Sequence, residues 1–470
     1  MIDEMEQLEQ LCAAVPSPDR QRLTAARAQL STAIRRETAG HAARRPWLAV
    51  SLALRHRWLS RRWLGWVAPL AAAAAVTGVI LGSQGVFSPV HRPVPSSSTH
   101  DPGLGLAHPA TAYVAGQSGT VTPILTATGT ALKPIRIGKE YGQISSAIVF
   151  RPDGKTAYVL SSTMLGGGSG TVTPIRTATN TALAPIRVGG NPWAIAIAPD
   201  GKTAYVADTQ PGTVTPIRTA TNTALAPIRV GRNPLAIAIT PDGKTAYVLN
   251  NGSGTVTPIR TATSTALAPI RVPAGSFSMA ITPDGRTIYV LDLGSSQHQE
   301  GMVVPIRTAT NTALRPIRIG HAWPATINIA ITPDSRTAYV ASADTDTVIP
   351  IRTATNTALR SIPIGHAWPS TMNIAITPDS KTAYVANAST GTITPIRTAT
   401  DTALTRIRLA DGAGPITITP DGRTAYVIAV SGPGRTGTVI PIRTATNQVL
   451  RAITVSNLPS VIAITPAPRH

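Results

Sequence analysis

The chain has 470 residues, enough for a large core or several domains, and its single cysteine, Cys12, excludes an intrachain disulfide framework. Aromatic residues make up only 4%, and the weight of β-branched residues and turn formers points to many short strands. The formal net charge is +20, but the basic residues recur singly instead of clustering among aromatics, so no nucleic-acid partner is expected; such a surface suits anionic lipid, a cell-wall polymer or plain solvation.

Residues 1–62 are expected to form a cytoplasmic basic helical segment. Leu8, Leu11 and Cys12, then Leu23, Ala26, Leu30 and Ile34, fall at helix-face spacing. Pro16-Ser17-Pro18-Asp19 divides them into two helices, with Ser17 or Asp19 as cap. The stretch Pro46–Trp58 is too short to span a bilayer; it fits an interfacial segment or an apolar patch on a cytosolic helix. Residues 63–87, Trp63 to Phe87, carry no charge, and their core matches a bilayer at ~1.5 Å per residue over ~20 residues. Trp58, Trp63 and Trp66 suit the entry interface. Eight arginines from Arg35 to Arg62 place the N-terminus in the cytoplasm and the rest of the chain outside. A cleaved signal peptide is the competing reading, but the region before the apolar run is too long for one. The expectation is therefore an uncleaved transmembrane signal anchor in the cell membrane. Residues 88–110, rich in Pro, Ser, Gly and His, read as a linker.

From residue 111 to 470 the chain repeats itself. A Tyr-Val pair recurs at Tyr113, Tyr158, Tyr205, Tyr247, Tyr289, Tyr339, Tyr384 and Tyr426, spaced by 42 to 50 residues. Each unit parses into four strands, exemplified by A (Ala194–Ala198), B (Thr203–Ala207), C (Gly212–Ile217) and D (Leu225–Val230). A Pro-Asp-Gly turn joins A to B, with Ser335 and Ser380 replacing the glycine in two units, where strain or reshaping is expected. The C–D turn carries Gly129, Asn180, Asn222, Ser264, Asn311, Asn356, Asp401 or Asn447, all turn formers. Strand A alternates Ala and Ile, apolar on both faces, so each sheet must be covered on both sides by its neighbours. Pro216 inside strand C is tolerable if its missing N–H would face a strand D too short to pair there.

The expected fold class is all-β: a β-propeller of four-stranded blades, preceded by N-terminal α-helices and one transmembrane helix. The repeats begin at a B strand, Thr111–Ala115, and end at a lone A strand, Val461–Thr465, so the two ends should complete one blade and close the ring. Eight blades are expected, with seven the alternative if one unit is displaced from the ring.

The tetrads Tyr247-Val248-Leu249-Asn250 and Tyr384-Val385-Ala386-Asn387, each preceded by Pro-Asp-Gly/Ser-Lys-Thr-Ala, resemble the YVTN-family β-propeller repeat proteins, a surface-layer-like group. The resemblance covers about residues 111–466 and implies fold more than function. Lactonase, quinoprotein and nitrous-oxide-reductase propellers are more remotely similar.

Few groups in the repeats suit chemistry. Of 16 acidic residues after the apolar run, seven are the turn aspartates. No Ser-His-Asp constellation, phosphate loop or metal ligand set is evident, so no catalytic residue, metal or cofactor is assigned. Two neighbouring units lengthen the D–A loop with Gly320-His321-Ala322-Trp323-Pro324 and Gly365-His366-Ala367-Trp368-Pro369. With Trp193, Asp344 and Asp346, the residues His321, Trp323, His366 and Trp368 would converge near the channel mouth on the face shared by D–A and B–C loops, where aromatics beside His and Asp suit a sugar or other polar ligand. The expected function is a non-enzymatic binding module displayed at the cell surface, with a cell-wall polymer or an extracytoplasmic protein as partner. A lactonase-like hydrolase or lyase, and a transmembrane signalling protein with a cytosolic regulator, are the alternatives.

Overall fold

The computed structural model describes residues 110–138, 143–163, 169–294, 300–321, 327–343, 345–365, 371–430, 437–455 and 458–467. All of them belong to one compact unit, Gly65–His470. The expected N-terminal helices, anchor and linker lie outside the described residues. Among the described residues the only helix is a single 3-10 turn, Asn251–Ser253, and none is long and apolar enough to cross a membrane.

Everything else is short antiparallel strands in the order the repeats dictate. In the fourth unit, A is Pro234–Ile239, B is Thr245–Asn250 and C is Thr255–Arg260. Strand D differs from the expected continuous segment: it is two dipeptides, Thr265–Ala266 and Ile270–Arg271, both paired to C. The proline between them explains the break. In the third unit the corresponding pieces, Thr223–Ala224 and Ile228–Arg229, flank Pro227. Pro216 sits opposite Tyr205 in the ladder, and its carbonyl accepts the Leu225 N–H at 2.8 Å. N and O of one residue point to the same side of a strand, so the missing N–H faces the gap in D and no ladder bond to B is lost.

Hydrogen bonding joins the strands into seven sheets, the count given above as the alternative. One sheet has nine strands because Ile186–Ile197 runs without a break from D of the second unit into A of the third. All eight repeat units are therefore present, two of them in that sheet. Their A strands neighbour one another in sequence order and return to the start: the last, Pro459–Ile464, lies between those of the eighth and second units. The C-terminal A strand pairs with the N-terminal B strand Thr111–Gly116, Tyr113 opposite Ala463, which closes the ring and leaves neither terminal strand unpaired.

The core lies between units. Ala236, Ala238, Tyr247 and Leu249 of the fourth unit pack against Met279, Ile281, Ile288 and Val290 of the fifth. Small inner residues leave room for the neighbour's large ones, the wedge the Ala/Ile alternation requires. Each repeat tyrosine reaches across this seam. Tyr158 Oη donates to Asn222 Oδ1 at 2.7 Å, Tyr247 to Asn311 Oδ1 at 2.6 Å and Tyr339 to Asp401 Oδ1 at 2.6 Å. Its acceptor is the C–D turn residue of the next unit, held at positive φ, 54° at Asn222. Where that residue is Ser264 or Gly129, Tyr205 and Tyr426 reach only a backbone oxygen, of Thr261 and Thr126. The turn residue is thus a latch between blades as well as a turn former.

Two opposite faces follow. A–B turns, C–D turns and the ends of C strands share one: Thr219 N bonds Lys202 O at 3.0 Å. Seven C strands end there in an exposed arginine, Arg176, Arg218, Arg260, Arg307, Arg352, Arg397 and Arg443, with Leu125 in the first unit. On this face Ser335 and Ser380 keep the left-handed geometry of the glycines they replace, at φ 62° and 61°. Each hydroxyl accepts the N–H of the preceding turn's aspartate, Asp284 and Asp334, at 3.0 Å, an interaction glycine cannot make and one that offsets the strain.

Candidate functional site

The B–C and D–A loops share the other face, as expected. In the fourth unit Asn251 N bonds Asn233 O at 3.0 Å, and Arg232 N bonds Ser253 Oγ at 2.6 Å. Of the loop candidates, Trp193 is half-buried on strand A of the third unit. Asp346 stands three units on, at φ 54°, its carbonyl accepting the Ile364 N–H at 3.0 Å. His321 ends a D strand, Ile317–His321, opposite Glu300. Trp323, Asp344, His366 and Trp368 lie outside the described residues. Trp193 and Asp346 belong to well-separated units, the third and the sixth.

Beneath this face runs a feature the sequence reading missed. The fourth residue of each Tyr-Val tetrad, the last inner position of strand B, is polar in six consecutive units: Ser161, Asp208, Asn250, Asp292, Ser342 and Asn387. All six are buried. Period-2 alternation puts this position on the same face of the strand as the tetrad valine, turned into the seam between units. In the third and fourth units strand C supplies a partner. Thr215 Oγ1 donates to Asp208 Oδ2 at 2.6 Å, and Asn250 Nδ2 donates to Thr257 Oγ1 at 2.8 Å. Val304 and Ile349 occupy the threonine's place in the fifth and sixth units. There Asp292 Oδ1 and Ser342 Oγ have no partner, and neither do Asp208 Oδ1 and Asn250 Oδ1. Two inner-strand asparagines, Asn328 and Asn373, are buried in adjacent units; Asn328 Nδ2 and both side-chain polar atoms of Asn373 also lack partners.

Glycines in the D–A connections make room for these side chains. A Cβ on Gly189 would fall 2.6 Å from Asp208 Cγ, and one on Gly231 would fall 2.7 Å from Asn250 Cβ. Burial pushes the Asp208 carboxyl up to about 6, against the opposing hydrogen bonds from Thr215 and from the Gly189 N–H. Burial raises Asp292 as well, opposed by the Gly294 N–H. Three of the turn aspartates on the far face behave oppositely: at Asp242, Asp379 and Asp421 the burial penalty is outweighed by hydrogen bonds from the turn's own threonine and backbone together with the neighbouring cation, and the carboxyl is lowered. Asp242, Asp379 and Asp421 are thus held ionised by their own turns, whereas Asp208 and Asp292 are costly where they stand.

Buried carboxylates with an unused oxygen, next to unpaired amides, can accept from a polyol or amine or hold a proton. Among the described residues no three His, Cys, Asp or Glu side chains come together as a metal-binding group. A cavity of about 510 Å³ lies elsewhere, on the outer rim between the fifth and sixth units, lined by Leu314 to Arg318 and Thr355 to Ala358.

No family model matches the chain, and no curated protein does. Solved structures do. The dihydro-heme d1 dehydrogenase NirN, solved in complex with DHE, is similar at 17% identity over 78% of this chain and 77% of that one, with a TM-score of 0.62. The fold is that of a β-propeller. A functionally unknown protein from Desulfotomaculum acetoxidans DSM 771 is similar at 16% identity, covering 76% of this chain and 99% of that one, with a TM-score of 0.51. At these identities the propeller likeness concerns the fold alone.

Proposed function

We propose that this protein is a membrane-anchored, YVTN-type propeller that binds an extracytoplasmic partner on its loop-bearing face without turning it over. The observation that carries this reading is the contrast between the two ends of one repeated frame. The A–B turns are almost invariant from unit to unit, while the opposite end varies in loop length and carries buried polar groups with unused hydrogen-bonding capacity. Repeat proteins place recognition on such a variable face over a constant scaffold. Asp208 and Asp292 cost stability where they stand, which is expected of residues kept for binding. The partner is a polar one, a wall polymer or an extracytoplasmic protein, engaged by Trp193, His321, Trp323, Asp344, Asp346, His366 and Trp368.

Cys12 offers a direct test of the orientation. A membrane-impermeant maleimide added to intact cells should leave it unlabelled and should label it after permeabilisation. An engineered cysteine at exposed Ser253 in a Cys12→Ser chain should label without permeabilisation. Labelling of Cys12 in intact cells would refute the arrangement. For binding, mass spectrometry of molecules co-purifying with the intact protein should recover a polar ligand that is lost from an Asp292→Ala, Asn373→Ala chain; equal recovery from that chain would refute the loop-face reading.

A further inference from the structure

The face opposite the loops carries a charge pattern that the binding reading does not use. Seven of eight C strands end there in an exposed arginine. No ion pair joins any of the seven to an acid among the described residues, and Arg443 bonds only the neutral Gln448, at 3.2 Å. Five turn cations on the same face, Lys244, Arg286, Arg336, Lys381 and Arg423, pair with their own turn aspartates, as in Lys381–Asp379 at 3.5 Å and Lys244–Asp242 at 3.7 Å. The arginines are therefore an uncompensated arc of positive charge on an end made of short, uniform turns.

The gap in that arc is the first unit, where Leu125 stands in the arginine's place. The chain enters the propeller at this gap: Ala110 O accepts the Thr126 N–H at 3.0 Å, and Thr111 begins the first B strand. The apolar run ending at Phe87 is separated from Thr111 by just 23 residues in the sequence. A random coil of that length has an r.m.s. span of about 25–30 Å. The described chain thus begins at the arginine face and not at the loop face.

We propose that the arginine face docks on the anionic headgroups of the bilayer in which the anchor sits, which turns the loop face away from the membrane. The inference rests on the anchor reading of residues 63–87. Uniform turns and evenly spaced cations suit a flat, laterally fluid array of negative charge, which needs no fixed ligand geometry. None of the seven arginines is ion-paired to an acid among the described residues, so the headgroups meet free guanidinium groups, and the loop-face site stays open to its partner.

The test uses the full chain in lipid nanodiscs, with Cys12→Ser and one fluorophore at either Thr221→Cys on the arginine face or Ser253→Cys on the loop face. Energy transfer to a headgroup acceptor is the readout. In phosphatidylglycerol discs the Thr221→Cys label should transfer strongly and the Ser253→Cys label weakly. The difference should collapse in phosphatidylcholine discs and at ~1 M salt, where the Debye length falls to about 3 Å; these arms need no further substitution. Replacing Arg218, Arg260, Arg307 and Arg352 by Gln should also abolish it. The same change at Arg187, Arg229, Arg271 and Arg408, on D strands paired to the opposite ends of C, should not. Equal transfer from both labels, or transfer indifferent to lipid charge and salt, would overturn the proposal. So would an arginine-face signal that ignores lipid charge but responds to soluble polyglycerol phosphate, which would assign the face to a wall polymer. Release of the native chain from membranes by carbonate would overturn the anchor reading first and this inference with it.

Discussion

Replacing Asp208 by Asn should stabilise the propeller above pH 6 and do progressively less as the pH falls. The native carboxyl ionises at about 6, raised by burial from an ordinary 3.8. At each pH between those values the native state binds more protons than the unfolded chain, so stability falls as pH rises through this window, the reverse of a salt-bridged carboxylate. A shift of roughly 2 units at 1.36 kcal/mol each is a penalty of about 3 kcal/mol at pH 7.5 and about 1 kcal/mol at pH 4.5. Asparagine can keep the Thr215 donor through its oxygen, and Asn250 occupies the same position in the next unit. Its amide would stand where Oδ1 now has no partner, which offsets ~1 kcal/mol of the gain. The expected net gain is ~2 kcal/mol at pH 7.5, falling to about zero at pH 4.5. Urea unfolding of both chains at the two pH values measures it. A gain independent of pH, or a loss at pH 7.5, would refute the assignment of a strained buried carboxylate.

The blade-to-blade latch supplies further expectations. Tyr158→Phe should cost about 1 kcal/mol in urea unfolding, because Asn222 Oδ1 loses its donor at the seam. Ser264→Asn should complete a latch that Tyr205 lacks and add roughly 0.5–1 kcal/mol, since asparagine tolerates the φ of 52° held there; an unchanged midpoint would count against the latch. Gly231→Ala should lose ~1–3 kcal/mol by forcing a Cβ into Asn250, whereas Gly129→Ala, with no atom nearer than 3.7 Å, should lose only what its φ of 68° demands.

Much of the fold was legible because a repeat states its answer many times over. The Tyr-Val pairs, the Pro-Asp turns and the Ala/Ile alternation each give strand, turn and two-sided burial from local chemistry. The split of the first unit between Thr111 and Val461 gives ring closure from phase alone. What local pattern could not give was anything that joins two units. Asn222 reads as a turn residue, and only the neighbouring unit reveals that it receives Tyr158. The continuous strand Ile186–Ile197, which merges two units into one sheet, crosses a Gly-Gly-Asn-Pro sequence that reads as a loop.

The candidate site divides along the same line. Sequence marks the long loops with His321, Trp323, His366 and Trp368, because irregularity in a repeat is visible in one dimension. It hides Asp208, Asn250, Asp292, Asn328 and Asn373, because each sits in an ordinary strand and becomes unusual only once the neighbouring unit buries it. Likewise, +20 is a property of composition, while the arc of seven arginines at the end where the chain enters exists only after the C strands are stacked side by side. Sequence by itself determined the strands, their turns and the closure of the ring, since those follow from the chain's own hydrogen-bonding and steric preferences. Tertiary structure alone decided which polar groups lose water and which charges share a face, since desolvation and proximity are relations between units.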